Sequence, residues 1–369
     1  MLILYRIVAA TLICSTVYLA SPAHAARTTS TSITCSSTKT LQAKIDAIAP
    51  GTIGKIYVKG TCTENIHVPA GKFIQLIGGV ADRGATITPK DTSDFAVYSL
   101  GLLQIENMTI RSSSGSAEAL MKTEAGGTLY LLASLATTSS APRVLVAANN
   151  ATLIVANSSV TKTGDAATQD KVIAIDKSAS LTVHGNSGLP SGPGGVLGTV
   201  ISGSKETIYC GGGSSTTVVT EGTGTVTIQD GQTGLNLNSC SLTLENKTDT
   251  KGNLIVKNAS KAGISAYNSD VMINGATIAS NRYGLYSMQS RTVIVGAVFG
   301  GAPSANVIDL KVDVGSTVDI DDFGGQTSFP NIGPSSFVCV NGGQVYNYRP
   351  VVSQDLTSYE GECLKAAVY

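Results

Sequence analysis

Apolar and polar residues alternate along this chain in short runs, and the runs come in pairs. They read VLVAANNATLIVANSSV from Val144, VIAIDKSASLTVHGN from Val172, GLNLNSCSLTLEN from Gly234, GISAYNSDVMINGATI from Gly263, GLYSMQSRTVIVGAVF from Gly284 and VIDLKVDVGSTVDIDDFGG from Val307. Each pairs a short alternating strand with a turn of Asn, Gly or Ser and a second alternating strand. Anchored on the second strand, Leu129, Leu153, Leu181, Leu242, Val271, Thr292 and Val318 recur at steps of 24, 28, 61, 29, 21 and 26 residues. The long step reads as two turns, with TVTIQDG around Val226 as the intervening rung. Short period-2 strands at such a repeat predict a β-solenoid. Helical repeats of similar length would need longer 3.6-residue patterns, which are missing.

In such a coil each turn lays its strands parallel to those of the turn before, about 4.8 Å away, with alternate side chains pointing inward. No turn buries its apolar face alone, so the stack makes the core and the ends need caps. Ile264, Ala266, Val271 and Ile273 are therefore expected above Leu235, Leu237, Leu242 and Leu244. Asn268 should stack between Ser239 and Gln289 at a turn. Asp270 should face outward beside Arg291, an exposed pair worth about 0–1 kcal/mol. In TLQAKIDAI, Leu41, Ile45 and Ile48 share one helical face and predict a short N-terminal helix covering the open end of the coil. The pattern divides the chain into residues 1–25, an N-terminal segment 26–50 with the capping helix, the solenoid 51–345, and a C-terminal cap 346–369 fastened by Cys339 and Cys363. SGLPSGPGGVLGTVISGSKE from Ser187 reads as a loop bulging from one turn.

The ends and composition narrow the setting. MLILYRIVAATLICSTVYLASPAHA has a basic residue at Arg6, an apolar stretch and a small-x-small ending at Ala25, the layout of a secretory signal peptide. A secreted or periplasmic protein without a transmembrane segment after cleavage is the expectation. Cleavage leaves 24 Lys and Arg against 25 Asp and Glu, so net charge gives no reason to expect nucleic acid or an anionic membrane as partner. Only His67 and His184 remain, which disfavours sites built on several histidines, and no metal site is expected. Six cysteines remain, with no CxxC, and read as disulfides of an exported chain. Pairing between sequence neighbours is expected, Cys35 with Cys62, Cys210 with Cys240, Cys339 with Cys363, although the count alone permits other connectivities.

GTIGKIYVKGTCTENIHVPAGKFIQLIGG from Gly51, with LLQIENMTI from Leu102 and the later turns, resembles the right-handed parallel β-helix proteins of the pectin lyase-like superfamily. Gly60, Glu64 and Ile66 match a recurrent N-terminal motif of that group, while Cys62 replaces its usual Tyr. The resemblance covers most of residues 38 to 345. It implies an all-β, right-handed parallel β-helix and, in enzymes, an outer groove acting on acidic polysaccharides.

Specific chemistry is harder to find. Inverting polygalacturonases carry Asn-Thr-Asp, Asp-Asp and Gly-His-Gly motifs; here Asp321 and Asp322 stand without the other two. Pectin methylesterases require an aspartate pair and Gln-Asp-Thr, which are absent, so Glu64 reads as a fold marker. A polysaccharide lyase needs carboxylates holding calcium beside an Arg or Lys base. Repeat alignment puts His184, Glu245, Asn274, Val295 and Asp321 in one outward column and Ser180, Ser241, Asp270, Arg291 and Thr317 in another. Arg291, Asp270 and Glu245 are the catalytic candidates on that reading, the only one that calls for a cofactor, calcium. Alternation makes His184 an exposed histidine. Arg282, Tyr283 and Tyr286, next to Asn281, suit an anionic sugar through charge-assisted hydrogen bonds and stacking. With no complete catalytic motif set, the expected function is a surface-exposed binding or structural module contacting a polysaccharide or cell-surface glycan, with a lyase as the alternative.

Overall fold

The computed structural model describes residues 27–36, 39–79, 84–113, 115, 117–164, 170–186, 198–203, 205–247, 253–300, 306–321 and 338–347. The signal-like segment, the tip of the loop after Asn186 and nearly all of the expected C-terminal cap lie outside these residues.

The chain winds as a parallel β-solenoid of about 10 turns. Three sheets, of 13, 11 and 10 strands, run the length of the coil, and every strand pair within them is parallel. A complete turn contributes one strand to each sheet, in the order 13-stranded, 10-stranded, 11-stranded. The paired runs of the sequence are the strands of the 11- and 13-stranded sheets, such as Ala262–Tyr267 and Asp270–Asn274. The third strand of each turn is short, for instance Thr277–Ala279 or Val298–Phe299, and the two-strand template overlooked it. One rung is corrected accordingly. The turn between Leu181 and Leu242 is carried by Thr216, whereas Val226–Gln229 belongs to the 10-stranded sheet.

Alternation fixes the inward set as expected. Leu235 lies under Ile264, Leu237 under Ala266, Leu242 under Val271 and Leu244 under Ile273, and all eight are buried. One continuous apolar core runs from Ile33 to Val345. Each large aliphatic side chain taken out of water contributes about 1.5–3 kcal/mol.

The corners satisfy the backbone that the strands leave unpaired. Ser239, Asn268 and Gln289 occupy equivalent corner positions with φ of 54°, 49° and 51°, and Gly315 takes the next at 74°. Short polar residues and glycine tolerate this left-handed region best. The Asn268 amide donates to Ser239 Oγ at 3.1 Å. Just inside that corner runs a buried serine ladder. The backbone N–H of Cys240, Ser269 and Ser290 donates in turn to the hydroxyl oxygen of Ser269, Ser290 and Ser316, at 3.1, 3.1 and 3.3 Å.

At the N-terminal end the helix Leu41–Asp46 buries Leu41 and Ile45, and Ile48 is buried just beyond it. Glu64 explains its place in the motif. Its carboxylate, 9% exposed, accepts from the N–H of Leu41 at 2.7 Å and of Gln42 at 2.8 Å, filling donors that the first helical turn leaves open. Disulfides join Cys35 to Cys62 and Cys210 to Cys240, with Cα separations of 5.0 and 5.9 Å. Cys339 is also disulfide-bonded, and its expected partner Cys363 lies outside the described residues. Among the described residues no helix is long and apolar enough to cross a membrane.

Candidate functional site

The outward columns of the 13-stranded sheet form as the repeat predicts. Ser241, Asp270, Arg291 and Thr317 are consecutive register partners, and Glu245, Asn274, Val295 and Asp321 make the parallel column four residues further along. Four residues of strand are about 13 Å, so Glu245 does not converge with Asp270 and Arg291. Arg291 is adjacent to Asp270 in register but forms its ion pair with Asp319, at 3.9 Å on an exposed surface. Glu245 pairs with Lys247 at 3.5 Å, and Lys247 also meets Glu221 at 3.7 Å.

His184 departs from expectation. Its strand position points away from the core, yet the residue is only 4% exposed, and neither ring nitrogen has a hydrogen-bond partner among the described residues. Burial holds its pKa below the ordinary 6.5; Glu221 works against that shift and Lys247 adds to it. Alternation gives the direction of a side chain but not what lies over it.

Asn281 is architectural. It is 2% exposed, its Oδ1 accepts from Ala259 N–H at 2.9 Å, and Asn306 Oδ1 accepts from its backbone N–H and its amide at 3.0 and 3.1 Å. This asparagine ladder holds the corner from which the neighbouring strand, Tyr283–Met288, departs.

That strand lies in the 11-stranded sheet, whose outer face gathers most of the described aromatic and paired charged side chains. One outward column passes through His67, Tyr98 and Lys122, then Val146 and Ala174, then Tyr209, and on through Asn236 and Ser265 to Tyr286 and Lys311. Near its start Tyr98 stacks on Phe95 at 5.5 Å and donates its hydroxyl to Glu124. Burial and that carboxylate push the Tyr98 pKa up to about 12. Lys122 pairs with Glu124 at 3.0 Å, and Arg143 with Glu118. Midway, Val146, Ala174 and Ala119 form a small apolar patch packed by Phe95 and Tyr209. Lys171 sits over the Tyr209 ring at 3.5 Å and pairs with Glu206 at 3.6 Å.

The far end differs. Tyr283 and Tyr286 have ring centroids 6.0 Å apart. Lys311 Nζ lies 5.2 Å from one centroid and 5.0 Å from the other, and the Arg282 guanidinium lies 5.4 Å from Tyr283. Neither cation makes an ion pair among the described residues, unlike Lys122, Arg143 and Lys171 on the same face. Burial first, and then the Asp313 carboxylate, push the Tyr286 pKa up to about 12, so the phenol stays neutral and able to donate. The structure thus brings Arg282, Tyr283 and Tyr286 together and adds Lys311, which sequence reading missed. Its signal lay in the repeat itself, because Asp309-Leu310-Lys311 superposes on Gly284-Leu285-Tyr286.

Among the described residues the one close group of metal-ligating atoms is Cys35, Cys62 and Glu64, already committed to a disulfide and a helix cap. No family model matches the chain and no curated protein matches it in sequence, so what it is similar to is stated by its fold alone, an all-parallel β-solenoid.

Proposed function

We propose that this chain is an exported, surface-exposed binding module that takes an extended anionic glycan along the outer face of the 11-stranded sheet. The observation that carries this reading is a pair of cations with no carboxylate partner among the described residues, Lys311 and Arg282, set against the rings of Tyr283 and Tyr286. Cations held on aromatic faces offer charge-assisted hydrogen bonds to a carboxylate or sulfate, while the rings offer flat apolar area to a sugar. Towards the other end of the face Lys122, Arg143 and Lys171 are each paired with a carboxylate, so anion recognition concentrates at this end and the remainder supplies contact area.

The test is a panel of acidic and neutral polysaccharides on purified mature protein, read by calorimetry. Acidic polymers should bind and neutral ones should not, and the Lys311→Gln, Tyr286→Ala double variant should bind about tenfold or more weakly with an unchanged unfolding midpoint. Equal binding of neutral polymers, or an unaffected double variant, would sink the reading. The same polymers, incubated with and without calcium and monitored for unsaturated products, test the lyase alternative. Product formation that fails in an Arg291→Ala variant would replace binding by catalysis.

A further inference from the structure

A concavity lies on another side of the coil. The 10-stranded sheet carries an outward column in which Thr63 pairs with Thr88, and Arg111 with Thr137 and so with Thr161. Thr88 and Arg111 themselves stand one position beyond the pair Ile87 and Ile110. On one flank the chain leaves these strands through polar corners that stack from turn to turn. Ser139 N–H donates to Ser112 O at 3.3 Å, Ser139 Oγ to Ser113 O at 3.4 Å, and Thr163 N–H to Thr138 O at 2.9 Å. Together they make a trough of about 500 Å³, with Thr88, Arg111 and Thr137 as its floor and Thr92, Ser139 and Thr163 among its walls.

The lining has one chemical character. Apart from Pro89 and Arg111, every described residue of the trough is Ser or Thr. Arg111 is exposed to the trough, and its guanidinium has no ion pair or hydrogen bond among the described residues. Among the described residues no carboxylate lines the trough, although the chain as a whole carries equal numbers of acidic and basic residues. The volume of about 500 Å³ falls in the range of small-molecule sites, about 300–1,000 Å³, and has room for a sugar unit.

We infer that this trough is a binding site for a sugar unit bearing a tetrahedral anionic ester, sulfate or phosphate, held by Arg111 and the surrounding hydroxyls. A guanidinium donates to two ester oxygens in a fork; the Thr92 and Thr137 hydroxyls can donate to the remaining oxygen, while those of Thr88, Ser139 and Thr163, which already donate within the protein, can accept from the sugar hydroxyls. A planar carboxylate engages the fork with both of its oxygens and leaves the surrounding hydroxyls less used. The site is on a different sheet from Tyr286 and Lys311, so it does not depend on the function proposed above.

Full-length purified protein is titrated by calorimetry and by NMR with a glucose sulfate ester, a glucose phosphate ester, glucose, glucuronate and inorganic sulfate. The two esters should bind, and glucose should not. Glucuronate and inorganic sulfate should each bind about tenfold more weakly than the esters. Arg111→Gln should weaken ester binding by about tenfold, in line with losing one charge-assisted pair, and Arg111→Lys should recover part of it. NMR shifts induced by the esters should centre on Arg111 and Thr137. Unchanged ester binding in Arg111→Gln would overturn the site, as would glucose binding as tightly as the esters. Inorganic sulfate binding as tightly as the esters would mean an adventitious ion only, and equal binding of glucuronate would overturn the ester assignment.

Discussion

His184 is a buried imidazole whose two nitrogens have no partner among the described residues, and that makes it a liability in acid. Its folded-state pKa is depressed below 6.5 because burial disfavours the charged ring; Lys247 reinforces this and Glu221 opposes it. The unfolded chain therefore binds a proton before the folded one does. Its stabilising contribution is complete above the unfolded pKa and is lost progressively as pH falls below it toward the folded value. Urea unfolding followed at about pH 7.5 and about pH 5.5 should show a smaller loss of stability on acidification in His184→Gln than in the parent. An equal loss in both proteins would show that the ring is not desolvated in solution. The sequence placed His184 in the correct column and on the correct side of the strand. It gave no warning of burial, because period-2 alternation says nothing of what covers an outward residue.

At the scale of elements, the N-terminal helix depends on a residue from the first coil. Glu64 reaches back to two helix N–H groups, and a six-residue helix has little stability of its own. Glu64→Ala leaves those donors unfilled and should cost about 1–3 kcal/mol, seen as a lower denaturation midpoint, while Glu64→Gln should retain part of the loss. An unchanged midpoint in Glu64→Ala would mean the helix is held by Leu41 and Ile45 alone. The helix itself was legible from the spacing of Leu41, Ile45 and Ile48, and the paired strands from their alternation. The 10-stranded sheet was not, because strands such as Thr277–Ala279 and Val298–Phe299 offer too few positions to reveal a period. The Arg111 trough was hidden with it. Tyr283 and Tyr286 could be singled out from neighbouring positions in sequence, but Lys311 joins them through stacking across one turn, which only exact register exposes.

For the whole molecule, parallel in-register stacking converts sequence repeats into straight columns, so each outer face is a sum of contributions from successive turns. Stability follows the same logic, since each turn rests chiefly on its neighbours and the core is continuous from Ile33 to Val345. Register also sets distance. Tyr98 and Tyr286 belong to one column and are separated by seven register steps, which at about 4.8 Å each is about 34 Å. The sheet is in effect a ruler with an aromatic mark near either end and Tyr209 between them. A short oligosaccharide meets one mark at a time, whereas a longer one engages two or three as a single tethered ligand, and the later contacts then form at high effective concentration. Affinity should therefore climb in steps with oligomer length and level off once a chain spans about 34 Å. Tyr98→Ala should remove the last step and spare the first, and a length-independent affinity would confine recognition to the Tyr286 end.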